Sequence, residues 1–150
     1  MKPAVLESQS TRIFNIATEE CITLSVYDRD FATAFPLTAD KQPSEQLDLC
    51  TFLRPNFSST FVFQMQGDSM TDAHVPHGSL VIIDRSIVPT SSNLVLARVG
   101  DEYLVRKYIK NSSGIRLMPA NDRFHPIPIC DGMEFEIWGT VIRVILDVSQ

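Results

Sequence analysis

The sequence GDSMTD at residues 67–72, followed at short range by HGSLVIID at residues 77–84, is the stretch around which this chain is organised. An apolar stretch with the composition of a strand precedes the first segment, and the second segment itself continues as an apolar strand. A serine beside glycine and a small acid, between two such strands, is the arrangement that presents a hydroxyl at the mouth of a β-sheet. Ser69 is therefore a candidate nucleophile. An ordinary turn is the alternative, because Gly, Asp and Ser are common turn residues.

The sequence on either side of Ser69 predicts a mostly β fold. Strand candidates are rich in β-branched and aromatic residues and are separated by turn residues; they cover 60–66, 79–84, 93–99, 102–109, 115–118 and 134–146. Short strands at this interval predict a compact, bent antiparallel sheet or small barrel. Residues 47–53 fit a short helix or a strand, and residues 22–27 alternate in the manner of a strand.

Length and charge restrict the class of protein. A chain of 150 residues with 44% hydrophobic residues is long enough for one core and too short for two full domains. Lys and Arg number 13 against 18 Asp and Glu, and the net charge of −5 disfavours strong direct binding to DNA. We expect one β domain, residues 47–150, preceded by an extended N-terminal arm and linker, residues 1–46.

The cysteines and the N-terminus indicate a cytoplasmic protein. Cys21, Cys50 and Cys130 are far apart and lack C-x-x-C spacing, which predicts free thiols rather than a disulfide framework or a zinc site. The N-terminus has no apolar segment of signal-peptide length, and no stretch approaches the length of a membrane span. We therefore expect no membrane partner.

Asp72, His74 and His77 are the candidate metal ligands near the Ser69 turn. They lie around Pro76 without a nearby cysteine or a helical i, i+4 pairing, so solvated loop residues are the favoured interpretation. The sequence predicts neither a metal ion nor a cofactor.

The C-terminal run FEIWGTVIRVIL, residues 135–146, has apolar residues on both faces for much of its length. A strand of this kind must be covered on both sides, by the core and by a second copy of the chain. The sequence therefore predicts a homodimer, with Trp138 in the core or in the dimer interface.

These segments resemble the LexA/UmuD family of self-cleaving Ser-Lys peptidases. The matching features are the GDSM turn, the GSLVIID strand, EYLVRK at 102–107, LMPAN at 117–121 and EIWGTVI at 136–142. They occur in the family's order and at about its spacing, over residues 60–146. The resemblance implies the family's C-terminal peptidase fold and a nucleophilic Ser69. If activity survives, we expect the backbone N–H groups of Asp68 and Ser69 to form the oxyanion site.

Residues 31–46, with two prolines and many small polar residues, predict an extended connection. The resemblance implies self-cleavage in this segment, at the bond Thr33–Ala34. The family usually has a small residue followed by glycine at this bond. Thr33 is instead β-branched, and Ala34 cannot reach the positive φ values open to glycine. A linker that nothing cuts is the alternative.

The resemblance also implies a general-base lysine directly after the valine of the strand at 102–107, where this chain has Arg106. A buried lysine can be held neutral and accept the proton of a serine, whereas arginine keeps its own proton. We expect self-cleavage to be weak or lost and Arg106 to be able to donate a hydrogen bond to Ser69. Lys107 is the alternative base, although only a one-residue bulge would turn it toward the serine. An arginine introduced to trap the uncut chain would give the same sequence.

The resemblance is to UmuD-like members of the family, because about thirty residues before Thr33 are too few for the helix-turn-helix domain of the repressor branch. It implies a homodimeric accessory to translesion DNA synthesis in the SOS DNA-damage response. The implied partners are a RecA filament on single-stranded DNA and a translesion polymerase subunit. Two alternatives stay open: an active self-cleaving peptidase that uses Ser69 and Lys107, and a LexA-like regulator that lacks a DNA-binding domain.

Overall fold

The structure is a computed structural model that describes residues 5–8, 11–15, 23–26, 45–53, 56 and 58–149. The predicted cleavage site Thr33–Ala34 and Cys21 lie outside the described residues. The elements in chain order are β1 (Val5–Ser8), β2 (Thr11–Asn15), β3 (Thr23–Val26), β4 (Glu45–Asp48), α1 (Leu49–Leu53), β5 (Thr60–Gln64), a 3-10 turn (Thr71–Ala73), β6 (Leu80–Asp84), β7 (Leu94–Val99), β8 (Glu102–Asn111), β9 (Gly114–Met118), β10 (Ile127–Pro128) and β11 (Phe135–Ile145).

One of the two compact units of the chain is Thr18–Pro55. In this unit β3 and β4 pair in antiparallel fashion, and α1 follows β4 directly. The Asp48 carboxylate accepts hydrogen bonds from the Cys50 N–H (2.9 Å) and the Thr51 hydroxyl (2.7 Å), as a helix N-cap does. Residues 47–53 therefore contain both elements that their sequence allowed. The division of the chain after residue 46 stays a prediction.

The other unit, Met1–Ala17 with Asn56–Gln150, is a nine-stranded antiparallel sheet. Its strand order is β1-β2-β5-β6-β11-β7-β8-β9-β10. The mostly β, antiparallel fold that the sequence predicts is confirmed, and in the described part of the chain the sheet is open rather than closed into a barrel. The sequence did not predict β1, β2 or β10, because these short strands depend on pairing: β1 pairs with β2, β2 with β5 and β10 with β9.

Buried apolar side chains form clusters on opposite faces of the central strands. Because side chains alternate along a strand, Leu96 of β7 and Val105 of β8 face one cluster, whereas Val95 and Tyr108 face the other. The first cluster also contains Phe63, Met65, Met70, Val75, Val81 and Ile83. The segment that carries Ser69 packs onto this first cluster through Met70, which is fully buried.

The long strand β11 lies between β6 and β7 and bends at two register shifts, one between Ile137 and Gly139 and one between Val141 and Arg143. Such shifts kink a strand and increase its twist. Trp138 at the first shift is half-buried and contacts Phe61 edge to face, with 5.1 Å between ring centroids. The core covers this strand only in part, and the residues at its C-terminal end are exposed.

Candidate functional site

The Ser69 turn is held by the segment that follows β9. Asn121 donates from Nδ2 to the Asp68 carbonyl (2.7 Å), and the Ala120 N–H donates to the Ser69 carbonyl (2.8 Å). Gly67, which opens the turn, has a φ of 78°, in the left-handed region that favours glycine. The carbonyl groups of Asp68 and Ser69 are thus held in place, and this fixes the backbone of the serine.

His77 holds the first residue of the turn through a hydrogen bond. Nδ1 of His77 accepts a hydrogen bond from the Gly67 N–H at 2.9 Å. Next to it, the Met65 N–H donates to the Ser79 carbonyl (2.8 Å), and the Gly78 N–H donates to the Met65 carbonyl (2.9 Å). The nitrogen that accepts must carry no proton, so this contact requires a neutral imidazole with its proton on Nε2. His77 is exposed, but it joins the turn to the start of β6 rather than serving as a solvated loop residue only.

Ser69 and Arg106 meet inside the protein. Nη1 of Arg106 donates to Ser69 Oγ at 2.6 Å, and also to the Val105 carbonyl at 2.8 Å. Ser69 is 4% exposed and Arg106 is 7% exposed. The hydrogen bond that the sequence allowed between these two side chains is therefore present, and water has little access to it.

The guanidinium of Arg106 is a buried cation. Burial lowers its pKa from the ordinary value, and the carboxylate of Glu102 on the same strand partly opposes this by raising it. Among the described residues the guanidinium forms no ion pair, and its Nε is buried without a hydrogen-bond partner. An arginine side chain stays protonated even when its pKa falls below the ordinary value, so it cannot accept the serine proton.

Lys107 lies on the opposite face of β8 from Arg106. Its side chain is exposed, and β8 pairs with β7 without a register shift through these two positions. The bulge that would turn Lys107 toward Ser69 is therefore not found in this strand. Its assignment as an alternative base stays a prediction without geometric support.

The backbone N–H groups proposed for the oxyanion site donate no hydrogen bond within the described part of the chain. No described residue accepts a hydrogen bond from the backbone N–H of Asp68 or Ser69, whereas both carbonyl groups have partners. Two adjacent N–H donors beside a serine hydroxyl can bind a negatively charged or carbonyl oxygen. This is the chemistry that the turn makes available.

The other residues singled out from the sequence lie apart from this pair. Asp72 and His74 are exposed, and the described residues contain no group of three or more His, Cys, Asp or Glu side chains placed to bind a metal ion. His125 is exposed in the loop before β10. Trp138 packs against Phe61 and lies under the guanidinium of an exposed arginine, Arg85, at 4.3 Å from its ring centroid.

Sequence reasoning missed the residues that hold the turn. The sequence marks Asn121 and Ala120 only as part of a family motif, and it predicts that His77 is a solvated loop residue. The motif itself could have identified Asn121, because an asparagine after a strand can hydrogen-bond a neighbouring turn through its side-chain amide. The partner of His77 had no such signal, because the contact depends on how the loop folds.

Comparison with known proteins identifies the family. The sequence model of the family described as Peptidase S24-like matches residues 25–142. The LexA repressor of Corynebacterium glutamicum is 30% identical to this chain over 93% of the chain and 64% of the repressor. The LexA repressor of Alcanivorax borkumensis is 37% identical over 61% of the chain and 44% of the repressor.

A relative with a different name matches over most of its length. Protein MucA of Escherichia coli is 25% identical over 83% of this chain and 86% of MucA. The chain spans less than two thirds of the length of the two LexA repressors. No helix among the described residues has the length and apolar character needed to cross a membrane.

Proposed function

Because the chain belongs to the Peptidase S24-like family of self-cleaving Ser-Lys peptidases, we propose that it is a UmuD-like accessory protein of the SOS response whose own self-cleavage is weak or lost. The observation that carries this proposal is the 2.6 Å hydrogen bond from Arg106 Nη1 to Ser69 Oγ. Arg106 stands where the family resemblance places the general-base lysine.

The chemistry of this contact explains the expected loss. A serine hydroxyl becomes an effective nucleophile when a neighbouring base takes its proton, and such a base contributes about 10²–10⁴-fold to the rate. Arg106 donates to Ser69 Oγ and has no lone pair to receive a proton. The hydroxyl therefore keeps its proton, although the N–H groups of Asp68 and Ser69 are still free to bind an oxyanion.

The biological role is proposed from the family and from the share of each relative's length that the match covers. The match to protein MucA extends over most of both chains, so this relative has about the length of the chain. In that role the chain acts as a cytoplasmic homodimer that meets a RecA filament on single-stranded DNA and joins a translesion polymerase subunit. The net charge of −5 is consistent with binding to proteins rather than directly to DNA.

Mass spectrometry of the purified chain tests the silenced peptidase. The parent, Arg106→Lys and Ser69→Ala are incubated at mildly alkaline pH with and without RecA filaments. We expect the parent to stay intact and Arg106→Lys to be cut near Thr33–Ala34 at least about 100-fold faster, because lysine can supply the missing base. Ser69→Ala is the control that should not be cut under any of these conditions.

Cleavage of the parent would contradict the proposal. If Ser69→Ala then abolished this cleavage, Lys107→Ala would show whether Lys107 is the base after all. A cut in Ser69→Ala as well would instead point to a contaminating protease.

A LexA-like regulator is the second candidate function, because the LexA repressors among the relatives are 30% and 37% identical to the chain. Affinity purification of the tagged chain from cells with DNA damage separates the two functions. Recovery of a translesion polymerase subunit supports the accessory role. Recovery of a transcriptional repressor without a polymerase would favour the regulator.

A further inference from the structure

The backbone N–H of Asp68 belongs to a peptide group that no hydrogen bond holds. A peptide group keeps the C=O of one residue and the N–H of the next in a single plane. In the group between Gly67 and Asp68, neither the carbonyl nor the N–H bonds another described residue. This N–H is nevertheless one of the two donors expected to face an oxyanion beside Ser69. Its orientation therefore depends on the peptide groups before and after it.

Both neighbouring peptide groups are held by side chains. The group after it is fixed through the Asp68 carbonyl, which accepts from Asn121 Nδ2 at 2.7 Å. Because the Ser69 N–H lies in that same plane, Asn121 also orients the second oxyanion donor. The group before it is fixed through the Gly67 N–H, which donates to His77 Nδ1 at 2.9 Å. The plane of the Asp68 N–H thus lies between one plane held by an amide and one held by an imidazole.

Gly67 is the joint between His77 and this plane. Its φ is 78°, in the left-handed region. Glycine populates positive and negative φ about equally, so the residue itself does not hold this angle. Packing does not hold it either, because outside its chain neighbours no atom lies within 4 Å of the position that a Cβ would occupy. Among the described residues, the hydrogen bond to His77 is the contact that holds Gly67 and, through it, the Asp68 N–H.

We infer that His77 is a positioning residue for the Asp68 N–H, and that protonation of its imidazole releases this donor. A neutral imidazole offers an acceptor nitrogen, whereas an imidazolium carries an N–H on both ring nitrogens. Two donors then face each other at Gly67, and the hydrogen bond is lost. Imidazole changes its charge between about pH 5 and 8, and His77 is exposed to solvent. This role goes beyond the proposed function, because it concerns an oxyanion donor and not the base.

The charged and titratable groups of the two segments that meet at the turn do not pair with His77. In the loop between β5 and β6 and in the segment after β9 these groups are Asp68, Asp72, His74, Asp122, Arg123 and His125. None of the described carboxylates forms an ion pair with the His77 imidazole. The release therefore follows the charge on His77 itself and not the breaking of a salt bridge.

Nuclear magnetic resonance of the full-length parent between pH 8 and pH 5 tests this role. The Cε1–H resonance of His77 reports the charge of its imidazole. As the imidazole gains its proton, we expect the protection of the Gly67 amide, relative to an unstructured peptide at the same pH, to fall about fivefold. The order parameter of the Asp68 N–H should fall with the same midpoint, from about 0.85 toward 0.6.

Ser69 and Ala120 provide controls within the same spectra. The Ser69 N–H shares the plane that Asn121 holds, and the Ala120 N–H donates to the Ser69 carbonyl at 2.8 Å. Neither depends on His77, so neither should lose order. An Asp68 N–H that stays rigid after His77 has gained its proton would overturn the inference. Equal loss of order at Asp68, Ser69 and Ala120 would also overturn it, because acid would then loosen the whole turn.

Matched asparagine variants assign the effect to one imidazole. In His77→Asn the side-chain oxygen can accept the Gly67 N–H and gains no proton in this range, so the Asp68 N–H should stay ordered from pH 8 to pH 5. His74→Asn removes the other exposed histidine of the loop, and asparagine tolerates the φ of 62° at this position. This control should keep the response of the parent. Persistence of the response in His77→Asn, or its loss in His74→Asn, would overturn the inference.

Discussion

Arg106 shows how one side chain changes the chemistry of the buried position beside Ser69. Burial lowers the pKa of a lysine enough to make it a neutral base, whereas it leaves an arginine charged. The same pocket beside Ser69 therefore holds a proton donor where the family resemblance expects an acceptor. The consequence is that Arg106 donates a hydrogen bond to Ser69 but cannot accept its proton.

His77 gives a prediction at the residue scale. Its Nδ1 accepts the N–H of Gly67, the residue that opens the Ser69 turn. We expect His77→Ala to lower the free energy of unfolding by about 0.5–1 kcal/mol, the net value of one hydrogen bond near the surface. We also expect faster hydrogen exchange at the Gly67 amide, measured by nuclear magnetic resonance. His125→Ala, which removes another exposed imidazole, should change neither quantity.

Gly139 shows what the bend of β11 requires of its sequence. A Cβ at this position would overlap Cγ2 of Ile83 and lie 3.3 Å from the Asp84 carbonyl oxygen. We expect Gly139→Ala to lower the free energy of unfolding by about 1–3 kcal/mol, because a packed core resists an added methyl group. Denaturant unfolding measures this loss.

The double variant Gly139→Ala with Ile83→Ala tests the cause of that loss. Removing Cγ2 of Ile83 removes the overlap, so Gly139→Ala should cost less in the Ile83→Ala background than in the parent. Equal costs in both backgrounds would show that the steric explanation is wrong.

The end of β6 carries a buried carboxylate with several donors. Asp84 is fully buried and accepts hydrogen bonds from Asn56 Nδ2 (2.7 Å), Ser59 Oγ (2.9 Å) and both the N–H and the hydroxyl of Ser86 (2.8 and 2.6 Å). Burial raises the pKa of Asp84, but these hydrogen bonds outweigh it and hold the pKa below its ordinary value of 3.8. The bonds tie the loop before β5 to the end of β6.

This carboxylate predicts a dependence of stability on pH. A group whose pKa is lower in the folded state contributes stability above its unfolded pKa, which is about 3.9 for Asp, and loses it as the pH falls through the folded value. We expect Asp84→Asn to lower the free energy of unfolding at neutral pH by about 1–3 kcal/mol. The variant should also show a smaller further loss below about pH 4 than the parent.

Urea unfolding at several pH values measures this difference. Asp101→Asn, at an exposed turn carboxyl, is the control and should follow the parent. A parent and an Asp84→Asn variant with the same acid slope would refute the role of Asp84.

At the scale of the whole molecule, the exposed end of β11 supports the predicted homodimer. Ile145 and Leu146 are each 40% exposed, although they continue an apolar strand. We expect the parent to be a dimer by light scattering at micromolar concentration and Leu146→Glu to shift it toward the monomer, since a charge buried at an interface is costly. Val88→Glu is the control, because Val88 is apolar and 84% exposed but lies in the loop after β6. A monomeric parent would contradict the dimer.

Local sequence preferences were sufficient to place the strands around the site and to identify the two residues that meet there. β-branched and aromatic runs between turn residues were sufficient to place β5 to β9 and β11 within a few residues, because these preferences act locally. The presence of arginine at position 106 is likewise a fact of the sequence, and its inability to act as a base follows from chemistry alone.

How these groups meet depends on the fold of the whole domain. The 2.6 Å contact of Arg106 with Ser69 and the hydrogen bonds of Asn121 and His77 join residues that are not adjacent in sequence. The buried Nε of Arg106 is left without a partner by the same packing. Such contacts depend on strand register, on the face that each side chain takes and on the path of the loops. A local pattern does not specify these, because one residue of register exchanges the faces of an entire strand.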